Sequence, residues 1–162
     1  MEKKGTIIMG FEKNGSLTIE QIKEAEKKLG HKFPNDYKEF LLKTNGGRID
    51  LDDEVDHGFH VDPIDEEDIW VDSLYGIGES ARDWLCYFNN EYADETMGCL
   101  IIGDTLSCGF IIYDYLGVVD GKKAIYFWDD KRAYKTSSDD GNLYFVADDF
   151  NELMKMSNLK LD

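Results

Sequence analysis

The chain has 162 residues and a formal net charge of −16, with 42% hydrophobic and 13% aromatic residues. That length fits one domain with a sizeable core, and that apolar content argues against a disordered chain. A protein this acidic repels nucleic-acid phosphate and anionic membranes, so basic proteins, basic peptides or metal ions are the expected partners.

The charge is uneven. Residues 1–47 hold nine lysines and seven acids, residues 48–72 one arginine and eleven acids, and residues 73–162 eight basic and sixteen acidic residues. Cys86, Cys99 and Cys108 are odd in number and show no CxxC spacing. They read as packing thiols in a reducing compartment rather than a disulfide framework or a zinc site. The apolar stretch Thr6–Phe11 is too short for a signal peptide, and no run reaches the ~20 residues of a membrane span. The expectation is a cytoplasmic protein.

Taken in chain order, residues 1–17 read as an N-terminal extension with a short strand at Thr6–Phe11, ending at Asn14-Gly15. Thr18 and Gln21 make a capping box, and Leu17 and Ile22 a hydrophobic staple. Ile19, Ile22, Ala25 and Leu29 follow at helical spacing, and Gly30 is placed to end the helix. A second helix follows Pro34, capped by Asn35 or Asp36, with Tyr37, Phe40 and Leu41 on its inner face and Asn45-Gly46-Gly47 as its stop. Residues 48–68 read as a solvated acidic loop. Ile69–Tyr75 reads as a strand, and Ser80 as the cap of a third helix whose apolar face is Ala81, Trp84, Leu85, Phe88 and Tyr92.

Strands are then expected at Cys99–Ile102, Phe110–Tyr115, Ala124–Trp128 and Leu143–Val146, with a turn at Asp120-Gly121. Asp148 or Asp149 caps a last helix whose inner face is Phe150, Leu153 and Met154, and residues 158–162 form a tail. Strands joined by short turns favour antiparallel pairing. The fold class is therefore α+β: a single domain with a mostly antiparallel mixed sheet flanked by helices.

Signatures of catalysis are missing from the sequence: there is no GxSxG, no P-loop and no HExxH. His57 and His60, among Asp52, Asp53, Glu54, Asp56 and Asp62, form the most metal-like cluster. A calcium loop starting at Asp52 would need glycine at its sixth position, where His57 stands. No metal ligand, cofactor or catalytic residue is assigned. The adjacent carboxylates, such as Asp129-Asp130 and Asp148-Asp149, are not spaced to face each other across a cleft.

Several of these motifs together are familiar. Leu29-Gly30, Pro34, Asp36-Tyr37, Phe40-Leu41 and Asn45-Gly46-Gly47 resemble the opening motif of the SUKH superfamily, which includes the Smi/Knr-type cell-wall regulators. Ile101-Ile102-Gly103-Asp104, Gly109, Ile112-Tyr113-Asp114, Ala124–Asp129 and Val146–Leu153 are similar to its later strands and closing helix. The resemblance implies a SUKH-like domain over residues 18–157. It also implies a non-enzymatic immunity protein that binds and neutralises a cognate toxin domain, with a basic nuclease as the toxin that best matches the charge. No direct nucleic-acid or membrane partner is expected, and the state is a monomer or weak dimer. An intracellular regulatory or scaffolding module is the alternative, and a metal-dependent hydrolase using His57 and His60 a more distant one. The expected contact residues are Asp50, Asp52, Asp53, Glu54, Asp56, Asp65, Glu66, Glu67, Asp68 and Trp70, with Trp128, Asp129 and Asp130.

Overall fold

A computed structural model describes residues 10–50, 54–106, 109–137 and 141–159. The first strand, β1, is Phe11–Lys13, later than the predicted Thr6–Phe11, of which residues 6–9 lie outside the described residues. The first helix, α1, is Ile19–Leu29 and is capped as its sequence requires. Thr18 Oγ1 accepts from the Gln21 N–H at 3.1 Å, and Gln21 Oε1 accepts from the Thr18 N–H at 2.8 Å. Gly30 ends the helix at φ 73°, in the left-handed region. Ile22 and Ala25 are buried as predicted, but Ile19 is 46% exposed. It stands at the first helical position, and Leu17 packs against the core beside it.

Helix α2 spans Asn35–Thr44. Its predicted cap is corrected: Pro34 holds the N-cap position, with no side-chain hydrogen bond. Asp36 has a different task. Its carboxylate accepts from the Tyr37 N–H at 2.7 Å, from the Tyr113 hydroxyl at 3.1 Å and from the Phe150 N–H at 2.9 Å. One first-turn carboxylate therefore ties α2 to the sheet and to the last helix, a stronger use than capping its own exposed end.

The strands that follow are β2 (Gly47–Ile49), β3 (Gly58–Phe59), β4 (Ile69–Leu74), β5 (Leu100–Thr105), β6 (Phe110–Asp114), β7 (Ala124–Trp128) and β8 (Leu143–Ala147). The sheet runs β1-β2-β4-β5-β6-β7-β8, with β3 beside the first half of β4. Every pairing among the described residues is antiparallel. The fold is a single α+β domain, as its strand spacing predicts.

Register sorts the side chains into two faces. Ile111, Phe127 and Tyr144 stand in one row, and Phe110, Trp128 and Leu143 in another, on opposite faces. The first face is covered by α2 and by α4 (Phe150–Met156): Tyr37, Phe40 and Phe150 form a ring cluster there with centroids 4.8–6.0 Å apart. Asp149 caps α4, accepting from the Glu152 N–H at 2.9 Å.

The third helix differs from its predicted start. Residues Glu79–Ala81 form a short 3-10 turn, and α3 runs from Trp84 to Glu91, so Ser80 caps nothing. Arg82 and Asp83 both take positive φ, which breaks the helix before Trp84. Asp83 Oδ1 instead accepts from the Gly78 N–H at 3.1 Å. Helix α3 lies where β5 runs on past the end of β4. There the Asn89 amide donates to the Ile101 carbonyl at 2.8 Å and accepts from the Ile101 N–H at 2.8 Å. One side chain thus replaces a missing strand partner.

The acidic stretch 48–68 is not a plain solvated loop. It carries β2 and β3, and His57, Phe59, Val61 and Ile64 are buried within it. His57 donates from Nδ1 to the Ser157 carbonyl at the end of α4, at 2.7 Å. Burial of these apolar positions outweighs the cost of ordering an acidic segment, because the carboxylates of Asp56, Asp62 and Asp65–Asp68 stay exposed to water.

Candidate functional site

The antiparallel register fixes one end of the sheet. The C-terminal ends of β2, β5 and β7 and the N-terminal ends of β4, β6 and β8 all lie there. Nearly all the predicted contact residues fall at this end. Asp50, Glu54, Asp56, Asp65, Glu66, Glu67 and Asp68 are exposed. Asp52 and Asp53 lie outside the described residues.

Two bonds join this segment to the loop after β7, 67–69 residues away in sequence. Glu67 Oε2 accepts from the Tyr134 hydroxyl at 2.9 Å, and Glu66 Oε2 accepts from the Lys135 N–H at 2.6 Å. The Lys135 N–H holds the Glu66 carboxyl below its usual range. The exposed acids of this segment form a rim at this end of the sheet, tied to the loop after β7.

Trp70 is half-buried and takes part in the fold. It pairs with Gly58 across β3 and β4, and a Cβ on Gly58 would overlap its indole nitrogen. His57 meets its ring edge-on at 6.3 Å. Asp129 is fully buried. Its carboxylate accepts two bonds from the Ala133 N–H at 3.0 Å and a short one from the Ser137 hydroxyl. Asp129 thus shapes the loop and offers no surface.

Asp130 and Trp128 face a groove of about 390 Å³ on the sheet face opposite α2 and α4. Ile112 and Leu143 also line it, as do Thr96 and Met97 from the segment after α3. Trp128 is braced by Tyr92 at 5.6 Å and Phe110 at 5.7 Å. The Asp130 side chain is only 8% exposed, and its Oδ1 is buried without a hydrogen-bond partner among the described residues. Lys131 Nζ stands 3.8 Å from the other oxygen, with a 67% exposed side chain. Burial pushes the Asp130 carboxyl above its usual range, against the pull of Lys131.

The histidine pair does not converge. His57 is buried against Ser157, whereas His60 is exposed and 2.7 Å from Asp62. Among the described residues no group of three or more His, Cys, Asp or Glu side chains is placed to hold a metal ion. No helix among them is long and apolar enough to cross a membrane. Cys86 and Cys99 are buried free thiols, pushed up by burial to about 11 and about 12 respectively. Thiols so held are poor nucleophiles.

The sequence pattern of the SMI1 / KNR4 family (SUKH-1) matches residues 16–156. The chain belongs to that family. It is also similar to the SPbeta prophage-derived uncharacterized protein YokK of Bacillus subtilis (strain 168). The two are 27% identical over 150 residues, which cover 85% of this chain and 72% of that relative.

In this SMI1 / KNR4 chain the residues that carry the family resemblance are absorbed by the fold. Asp36 joins three elements, and the Tyr37 hydroxyl donates to the Tyr75 carbonyl at 2.6 Å. Asn45 ends α2 at φ 52° and clasps Ile77 through both ends of its amide, each at 2.8 Å. A Cβ on Gly76 would overlap the Asn45 carbonyl oxygen. Such a motif specifies a scaffold. The exposed acids of the rim and the residues lining the groove are largely left out of that scaffold.

Proposed function

We propose that this SMI1 / KNR4 protein is a non-enzymatic immunity protein that binds a basic toxin domain through the acidic end of its sheet. Members of this family are commonly immunity proteins. The observation that carries the reading is the gathering of exposed Glu54, Asp56 and Asp65–Asp68 at one end of the sheet, where the Glu66–Lys135 and Glu67–Tyr134 bonds tie them to the loop that follows Trp128 and Asp130. A nuclease toxin must present positive charge to hold phosphate, and a negative rim matches it. Complementarity of that kind speeds encounter and rejects neutral partners.

The test is co-expression with the toxin domain encoded by a neighbouring gene, scored by survival. Protection is expected, with a 1:1 complex on gel filtration. Reversing Asp52, Asp53, Glu54 and Asp56 together should slow association and flatten its salt dependence. An association rate unchanged by that quadruple reversal would remove this surface from the interface. A regulatory or scaffolding module would instead lack a toxin gene beside it and give no protection.

A further inference from the structure

The groove beside Trp128 carries one feature that folding leaves unexplained. A carboxylate whose side chain is 8% exposed, with one oxygen unpaired, is expensive to hold. The other buried acids among the described residues are satisfied. Asp114 accepts from the Val118 and Val119 N–H groups, and Asp129 from Ala133 and Ser137. Asp129 and Asp130 both line the groove, and of the two only Asp130 keeps an oxygen without a hydrogen-bond partner.

The geometry points to this groove as a seat for one arginine side chain of the protein partner, with Asp130 accepting from the guanidinium and Trp128 stacking on it. The identity of the partner rests on the immunity reading; the chemistry of the seat does not. Three observations favour a guanidinium. The unpaired Oδ1 demands a donor. Trp128, supported by Tyr92 and Phe110, presents an aromatic surface of the kind that holds a delocalised cation better than a strongly hydrated ammonium. Glu95, exposed and on the lining, adds negative charge. Arg132, also on the lining, adds positive charge and weakens the site for an incoming cation.

The experiment is a titration of the ¹⁵N-labelled full chain with N-acetyl-arginine amide, followed at the Trp128 indole N–H. N-acetyl-citrulline amide, of the same shape but neutral, is the control, and N-acetyl-lysine amide tests the head group. A saturable shift is expected with the arginine probe and none with citrulline. Asp130→Asn should weaken the arginine probe about ten-fold or more, the worth of one charge-assisted hydrogen bond. Arg132→Ala should tighten it. No saturable shift, or an equal shift with citrulline, overturns the site without any variant being needed. An equal response to lysine overturns the guanidinium assignment, and an unchanged affinity in Asp130→Asn overturns the role of that carboxylate. None of these readouts involves a toxin. An arginine-binding groove on a protein that protects against no toxin leaves this inference standing and removes the immunity reading, and a protective protein with an inert groove does the reverse.

Discussion

Replacing Asp104 by asparagine should change how stability depends on pH. Asp104 lies on β5, where its carboxylate accepts from the Ser73 N–H at 3.1 Å and the Tyr75 hydroxyl at 2.9 Å. Burial raises its pKa from 3.8 to about 6. The bond from Tyr75 opposes that rise, and the nearby Asp72 charge adds to it. Between those two values the folded protein binds more protons than the unfolded chain. Stability therefore falls as pH rises through this window. The penalty is absent below about pH 4 and complete above about pH 6. The full shift corresponds to an upper limit of about 3 kcal/mol at 1.36 kcal/mol per pKa unit.

Asp104→Asn removes the titration and keeps an acceptor for Ser73. At pH 7.5 the variant should be more stable than the parent, by up to about 3 kcal/mol, and the gap should close towards pH 4. Urea unfolding followed by tryptophan fluorescence at four pH values between 4 and 7.5 measures this. Titration of the many other acids affects both proteins and cancels in the difference. Tyr75→Phe removes the donor that favours the charged form, so its slope should be steeper than the parent's. A stability difference between Asp104→Asn and the parent that does not vary with pH would refute the reasoning.

Asn89→Leu keeps the approximate shape but leaves both backbone groups of Ile101 unpaired. A loss of about 2–4 kcal/mol is expected, with faster amide exchange at Ile101 than at its neighbours on β5. Asp36→Ala strips an acceptor from Tyr37, Tyr113 and Phe150 at once. A cost of about 3 kcal/mol or more is expected in urea, and the Tyr113 hydroxyl, held high by burial and Asp36, should titrate at lower pH.

The sequence revealed most where a local rule and the tertiary need agree. Thr18, Gln21, Gly30 and Asp149 act as their positions require, and β7 has the predicted ends. It misled where a side chain reached across the fold. Asp36 looks like a helix cap and instead bonds Tyr113, 77 residues on, and Phe150, 114 residues on. Asp83 and Arg82 take positive φ and break a helix that Ser80 seemed to start. The bonds of Asp36 lie outside any window of ten residues, whereas Asp83 is held locally, by Gly78.

The segment 48–68 shows how composition hid a pattern. Its acids suggested solvent, yet Val55, His57, Phe59 and Val61 alternate with Asp56, Gly58, His60 and Asp62. That period of two marks a half-buried strand even when every outward residue is charged or small. His57, Phe59 and Val61 are buried, and Asp56, His60 and Asp62 are exposed. The stretch that holds nine of the sixteen net negative charges is therefore also part of the core. This bears on the charge itself. Asp36, Asp104, Asp114, Asp129 and Asp149 are spent on backbone and hydroxyl donors, so the net −16 overstates what a partner meets. On the proposed reading a partner meets the rim from Glu54 to Asp68 and Asp130, the buried carboxylate that, among the described residues, keeps one oxygen without a partner. Rim charges act mainly on encounter and salt dependence, whereas a desolvated charge pair acts on dissociation. Reversing the rim should therefore slow binding, and Asp130→Asn should shorten the life of the complex. The two effects separate in one kinetic experiment on the same toxin.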